Sequence, residues 1–287
     1  TAGGIADGNG VGDFKYAPPT SFLALCSSNL SAPDIGPNAS TQADDHFNAA
    51  IWNGNGSNNA ISGLGHQPDL IWTKDRNGTE SHVWLDSSRG ATKRLNCNTN
   101  GTESSDTNAT LSSFDSDGFT LTQYHDSNQS TSTNVGWCWK ANGGTTTTND
   151  ASATSIGTID STYQANTDAG FSIVTYEGTG SEGTVAHGLS AAPEVVIIKN
   201  RDSAREWAVY HKGAGNNGQT YLSTSDAWSS NDGSFGSTTP TSTVFNVNSD
   251  QTTNESGDSM VAWCWHGVEG YSKFGCYEGI ANADGAF

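Results

Sequence analysis

Positive charge is scarce in this chain: 12 Lys and Arg stand against 30 Asp and Glu, a formal net charge of −18 over 287 residues. That balance repels phosphate backbones and anionic lipid surfaces alike, so neither nucleic acid nor membrane is expected as a partner. Long apolar runs are missing as well, and no stretch of about 18 apolar residues exists to span a bilayer as a helix. The N-terminus has neither the basic nor the apolar region of a signal peptide, and it starts at Thr1 without Met, as a fragment or a processed product would. Methionine occurs once and charged residues make up only 15%, so helix-favouring composition is thin. Gly, Ser, Thr, Asn and Asp take its place, and an all-β chain rich in turns is expected.

Cysteine is also sparse. Cys26, Cys97, Cys138, Cys264 and Cys276 are odd in number, and none forms a C-x-x-C metal spacing. They are expected to be small buried hydrophobes, with Cys138 and Cys264 reduced.

What the chain does have is self-similarity. Trp137-Cys138-Trp139 returns as Trp263-Cys264-Trp265, an offset of 263 − 137 = 126. Residues 47–56, with Phe47, Trp52, Gly54 and Gly56, match residues 171–180, with Phe171, Tyr176, Gly178 and Gly180, at an offset of 171 − 47 = 124. Gly63-Leu64 and residues 68–76 match Gly188-Leu189 and residues 193–201 at an offset of 125. Three landmarks in one order predict a single fold built twice.

Within each copy the apolar runs are short and bounded by glycine or polar turns, the pattern of strands in a β-sandwich or jelly roll. In residues 260–265 the two-residue period of a strand puts Trp263 and Trp265 on one face and Cys264 on the other. The expected organisation is two tandem jelly-roll-like β-sandwich domains, at 46–149 and 150–270. Residues 1–45 read as the tail of a separate, preceding domain and a linker, with residues 16–25 as its closing strand. Residues 271–287 open a truncated third copy, since Tyr277-Glu278-Gly279 repeats Tyr176-Glu177-Gly178. Residues 142–150 read as a low-complexity polar linker, and residues 156–166 as a strand leading into the second copy.

These landmarks resemble structural proteins of marine tailed phages, cyanophages especially, in which a SPRY-type lectin-like domain precedes tandem domains of unassigned function. The resemblance rests on residues 14–25, Asn29-Leu30, residues 170–178, residues 199–202 and residues 268–275. It implies a virion tail-fibre or surface-appendage protein, extracellular and homo-oligomeric with a trimer favoured. It supplies no catalytic residues to carry over.

No chemistry stands out from the residues themselves. His46, His66, His82, His125, His187, His211 and His266 are dispersed and expected to be ordinary polar or half-buried side chains. Asp115, Asp117 and Glu177 fit turns and strand ends better than a glycosidase pair. The Asp7–Asp13 stretch resembles part of a calcium loop, but it lacks the closing glutamate, and its DG and NG dipeptides are turn formers. Of the nine tryptophans, Trp52, Trp72, Trp137, Trp139, Trp263 and Trp265 fit packed strand positions, leaving Trp84 and Trp228 as the freer candidates for exposed contact. Eight N-x-S/T sequons, at Asn29, Asn38, Asn55, Asn77, Asn100, Asn108, Asn128 and Asn254, are no more than chance in so Asn-, Ser- and Thr-rich a chain. No catalytic residue, metal site or cofactor is expected, and the ligand is not specified. The leading expectation is a non-enzymatic virion protein that spaces or presents a host-binding surface, with host glycan and other virion subunits as partners. A subunit of a non-viral extracellular filament or surface layer is the alternative, and a carbohydrate-active enzyme comes third.

Overall fold

A computed structural model describes residues 4–29, 33–36, 39–105, 110–123, 125–230, 233–236 and 238–277. The chain is predominantly β. Its strands run β1 (Phe47–Asn53), β2 (Asn59–Ser62), β3 (Leu70–Asp75), β4 (Val83–Asp86), β5 (Leu95–Asn96), β6 (Leu111–Asp115), β7 (Gly118–Leu121) and β8 (Thr133–Trp139). They continue with β9 (Thr147–Asn149), β10 (Ser161–Asn166), β11 (Phe171–Glu177), β12 (Gly183–Ala186), β13 (Val195–Asn200), β14 (Ala208–His211), β15 (Gly215–Tyr221), β16 (Val244–Val247) and β17 (Ser259–Trp265). Among the described residues these form four sheets.

A five-stranded sheet has the order β1-β8-β3-β4-β5 and a seven-stranded sheet the order β15-β14-β13-β17-β11-β10-β9. Five adjacent strands of the larger sheet, β11-β17-β13-β14-β15, correspond one by one to the smaller. The β2-β7 pairing likewise corresponds to β12-β16. Local devices recur too. Trp52 Nε1 donates to the Ser127 carbonyl at 2.8 Å, and Tyr176 hydroxyl donates to the Thr253 carbonyl at 2.5 Å. The Asn128 amide donates to the Ser57 carbonyl, and the Asn254 amide to that of Ser181, both at 2.6 Å. At Gly54 an added Cβ would collide with the Gln129 carbonyl oxygen, and at Gly178 with that of Glu255, so both sites require glycine for close backbone approach.

The alternation of the Trp-Cys-Trp strands organises three cores. Cys138 lies with Trp52, Ile71, Leu85, Phe119 and Leu121 between the five-stranded sheet and β2-β7-β6. Cys264 lies with Val174, Val196, Phe245 and Met260 between the seven-stranded sheet and β12-β16. On the opposite faces Trp139, Trp263 and Trp265 join Trp72, Trp84, Trp207, Phe171 and Leu70 where the two large sheets pack together. Each cysteine therefore packs between its own large sheet and the smaller sheet beside it, while Trp139, Trp263 and Trp265 lie where the two large sheets meet.

Burial pushes the thiols of Cys138 and Cys264 far up, and that of Cys97 up to about 12. Thiolate is the reactive form, so alkylation of the native protein is expected to label exposed Cys276 and spare these three. Mass mapping under denaturing, non-reducing conditions should find Cys138 and Cys264 as free thiols, and a disulfide containing either would contradict this packing.

Three segments differ from the sequence expectation. Residues 16–25 make no strand: Pro18 and Pro19 withhold backbone donors, no strand among the described residues pairs with the segment, and Tyr16, Phe22 and Leu25 are exposed. The polar stretch 142–150 is not a free linker. Buried Asp69 accepts the backbone N–H groups of Ala141, Gly143 and Gly144 at 2.7–2.8 Å, and Thr147–Asn149 then pairs with β10 as an edge strand. Residues 271–274 lie against the two large sheets, where Tyr271 and Phe274 line the groove between them. The Glu278-Gly279 part of the expected third copy lies outside the described residues.

Candidate ligand-binding cleft

The aromatic layer between the large sheets is not completely filled. Phe47 on β1 and Trp139 on β8 are register partners with ring centroids 4.9 Å apart, and Phe171 on β11 and Trp265 on β17 repeat the pair at 5.1 Å. The two tryptophans meet edge to face at 6.3 Å. Beside them opens a cavity of about 360 Å³, with Trp72, Ile197, Leu222 and Phe274 on its walls.

Two of the polar groups around this cavity have protein partners, whereas the buried Trp84 Nε1–H has none among the described residues. Trp72 Nε1 donates to His82 Nδ1 at 3.1 Å, and the Ser272 hydroxyl donates to the His266 carbonyl at 3.4 Å while accepting the Val268 N–H at 3.2 Å. Burial pushes the Tyr271 hydroxyl up to about 12, so it stays neutral. Apart from the Trp84 indole N–H, the lining offers mainly carbon and ring faces, which suits a flat, partly apolar ligand.

Both ends of the aromatic layer are latched. Arg201, at the end of β13, makes a two-pronged pair with Glu103, at 2.9 Å to each oxygen, and Arg89 reaches the same carboxylate at 3.0 Å. Arg89 also bonds Asp86 at 2.6 Å and lies over the Trp263 ring at 5.5 Å. Trp207 Nε1 donates to the Thr99 carbonyl at 3.0 Å. Across the layer, the Gln164 side chain accepts the Gly144 N–H at 3.1 Å and donates to Ser87 and Ser88.

The residues singled out by sequence fall in different places. Trp84 is not an exposed contact: it is 1% exposed, wedged among Trp72, Trp207, Trp263 and Trp265. Trp228 is 40% exposed and lies apart from the cleft lining. His125 and His187 are buried, and that burial pulls them down to about 3 and about 4 respectively. Each accepts a backbone N–H two residues ahead, from Ser127 and Leu189, so they act as turn staples.

Asp7 Oδ1 accepts from the Asn9 and Val11 N–H groups, and Oδ2 from the Ala24 N–H and the Asn29 side chain. These donors, the Ala24 N–H foremost, hold its carboxyl down at about 2, and they occupy the oxygens a cation would need. Among the described residues no group of three His, Cys, Asp or Glu side chains is placed to hold a metal ion. Sequons Asn128 and Asn254 are buried with their amide nitrogens donating inward. Asn38 and Asn108 lie outside the described residues.

Sequence reasoning missed the cleft, because Leu222, Ala169 and Phe274 come from loops with no periodic signal. Searches of curated proteins and of solved structures found no match. The profile of the domain of unknown function DUF7483 matches residues 42–287, and the chain belongs to that family.

Proposed function

We propose that this chain is a non-enzymatic structural module of a virion surface appendage: two tandem jelly-roll-like β-sandwich domains locked into a rigid spacer that presents a glycan-facing cleft. One observation carries the reading. The two large sheets share a buried aromatic layer closed by the Glu103–Arg201 pair, so the units are built to hold a fixed relative geometry. Rigid acidic β-modules add length while remaining soluble, which is what a fibre segment needs. The matching strand orders support tandem copies of one domain, and the stacked rings support a flat, partly apolar ligand.

The test is incubation with host-envelope polysaccharide, following retention and reducing-end release together. Retention without release is expected, and Phe274→Ala, on a segment outside the sheets, should weaken retention at least tenfold. Reproducible release that is abolished by substituting one Asp or Glu would overturn the reading in favour of a hydrolase. Immunolabelling of intact particles should place the chain on virion appendages; finding it instead in a cellular filament would overturn the viral assignment.

A further inference from the structure

The two units differ at one sheet edge. In the second unit, β11 is covered by β10, antiparallel and in register from Ser161 opposite Tyr176 to Asn166 opposite Phe171. In the first unit the equivalent strand, β1, is the end of its sheet. The Lys140 N–H donates to the His46 carbonyl and the Gly54 N–H to the Ser132 carbonyl, so the even-numbered positions of β1 bond to β8. The backbone groups of Phe47, Ala49, Ile51 and Asn53 therefore point outward.

Two of these groups have side-chain partners. Asn48 Oδ1 accepts the Ala49 N–H at 2.9 Å, and the Asn59 amide meets the Asn53 carbonyl at 3.2 Å. Among the described residues no strand covers the rest. Ile51 is 73% exposed, whereas its counterpart Thr175 pairs with Thr162.

Strand β1 reads Phe-Asn-Ala-Ala-Ile-Trp-Asn, with no charge, proline or bulge, the devices by which exposed edges are ordinarily kept apart. We infer that this edge pairs with the same edge of a second copy about a two-fold axis at Ala50, an inference that rests on the reading of the chain as a structural module of an appendage. A two-fold makes the partner antiparallel, the sense in which β10 lies on β11. The centred register sets Phe47 opposite Asn53 of the other copy and Ala49 opposite Ile51, so all the outward groups fall at hydrogen-bonding positions and Ile51 is covered. Two chains of net charge −18 then meet along an uncharged strip, and two five-stranded sheets become one continuous sheet.

Sedimentation velocity of the full chain over a concentration series tests this. A reversible dimer is expected, with the Ile51 amide exchanging more slowly as the dimer fills. Ile51→Pro removes an N–H that β8 does not use, and Ile51→Lys sets a like charge on each side of the axis. Each should weaken dimerisation at least tenfold, with the far-ultraviolet circular dichroism of the folded chain retained. A monomer at all concentrations, a three-chain mass, or a dimer indifferent to both variants would overturn the inference. The appendage reading is judged separately by where the chain sits on particles, whatever the solution mass.

Discussion

Replacing Trp84 with alanine is expected to lower the unfolding free energy by about 3–5 kcal/mol, the range for removing a large buried aromatic from a core. The indole is 1% exposed and has ring contacts with four other tryptophans, at centroid distances from 4.8 Å to Trp263 to 6.4 Å to Trp265. Truncation leaves a void where the two large sheets meet, and residues fixed in strands on both sides cannot collapse into it. Urea denaturation should show the midpoint falling with little change in slope. Trp228→Ala, at a 40% exposed site, should cost far less. A loss below about 1 kcal/mol for Trp84→Ala would mean that the aromatic layer does not hold the units together.

Trp84 also marks where sequence reading stops. The period-two reading of Trp-Cys-Trp correctly separated tryptophan faces from cysteine faces, because strand geometry fixes that alternation locally. It could not say that the tryptophan-bearing faces of the two large sheets look at each other. Trp84 pairs across from Trp72, while the equivalent pair is Ile197 and Val209, so the repeat carried no signal for it. The Glu103–Arg201 pair spans 98 residues, and the Asp69 contacts to residues 141–144 span more than 70. Such contacts depend on how whole sheets pack, which local propensity does not encode. The all-β class was legible because composition and short glycine-bounded runs act residue by residue. The failed strand at residues 16–25 shows the converse: apolar residues in a row make a strand only where a neighbour can take their backbone bonds.

Glu103→Ala should cost about 3 kcal/mol at neutral pH, at the lower end for breaking a buried ion pair. The side chain of Arg89 is fully buried and keeps Asp86, whereas Arg201, 20% exposed, loses both of its bonds to the carboxylate and can be partly rehydrated. Burial alone would push the Glu103 carboxyl up, but hydrogen bonds and charge from Arg201 and Arg89 outweigh it and hold the group below its ordinary value. A carboxyl lowered in the folded state stabilises fully above its unfolded pKa of about 4.3, and that contribution fades as pH falls through the folded value. The stability gap between wild type and Glu103→Ala should therefore be flat between about pH 6 and 7 and narrow below about pH 4.3. The buried histidines titrate alike in both proteins and cancel from the difference. Glu103→Gln, which can still accept hydrogen bonds but carries no charge, should lose the same acid dependence while costing less at neutral pH. A gap as wide at pH 3 as at pH 7 would show that the loss comes from packing, and that the charge pair does not latch the two units.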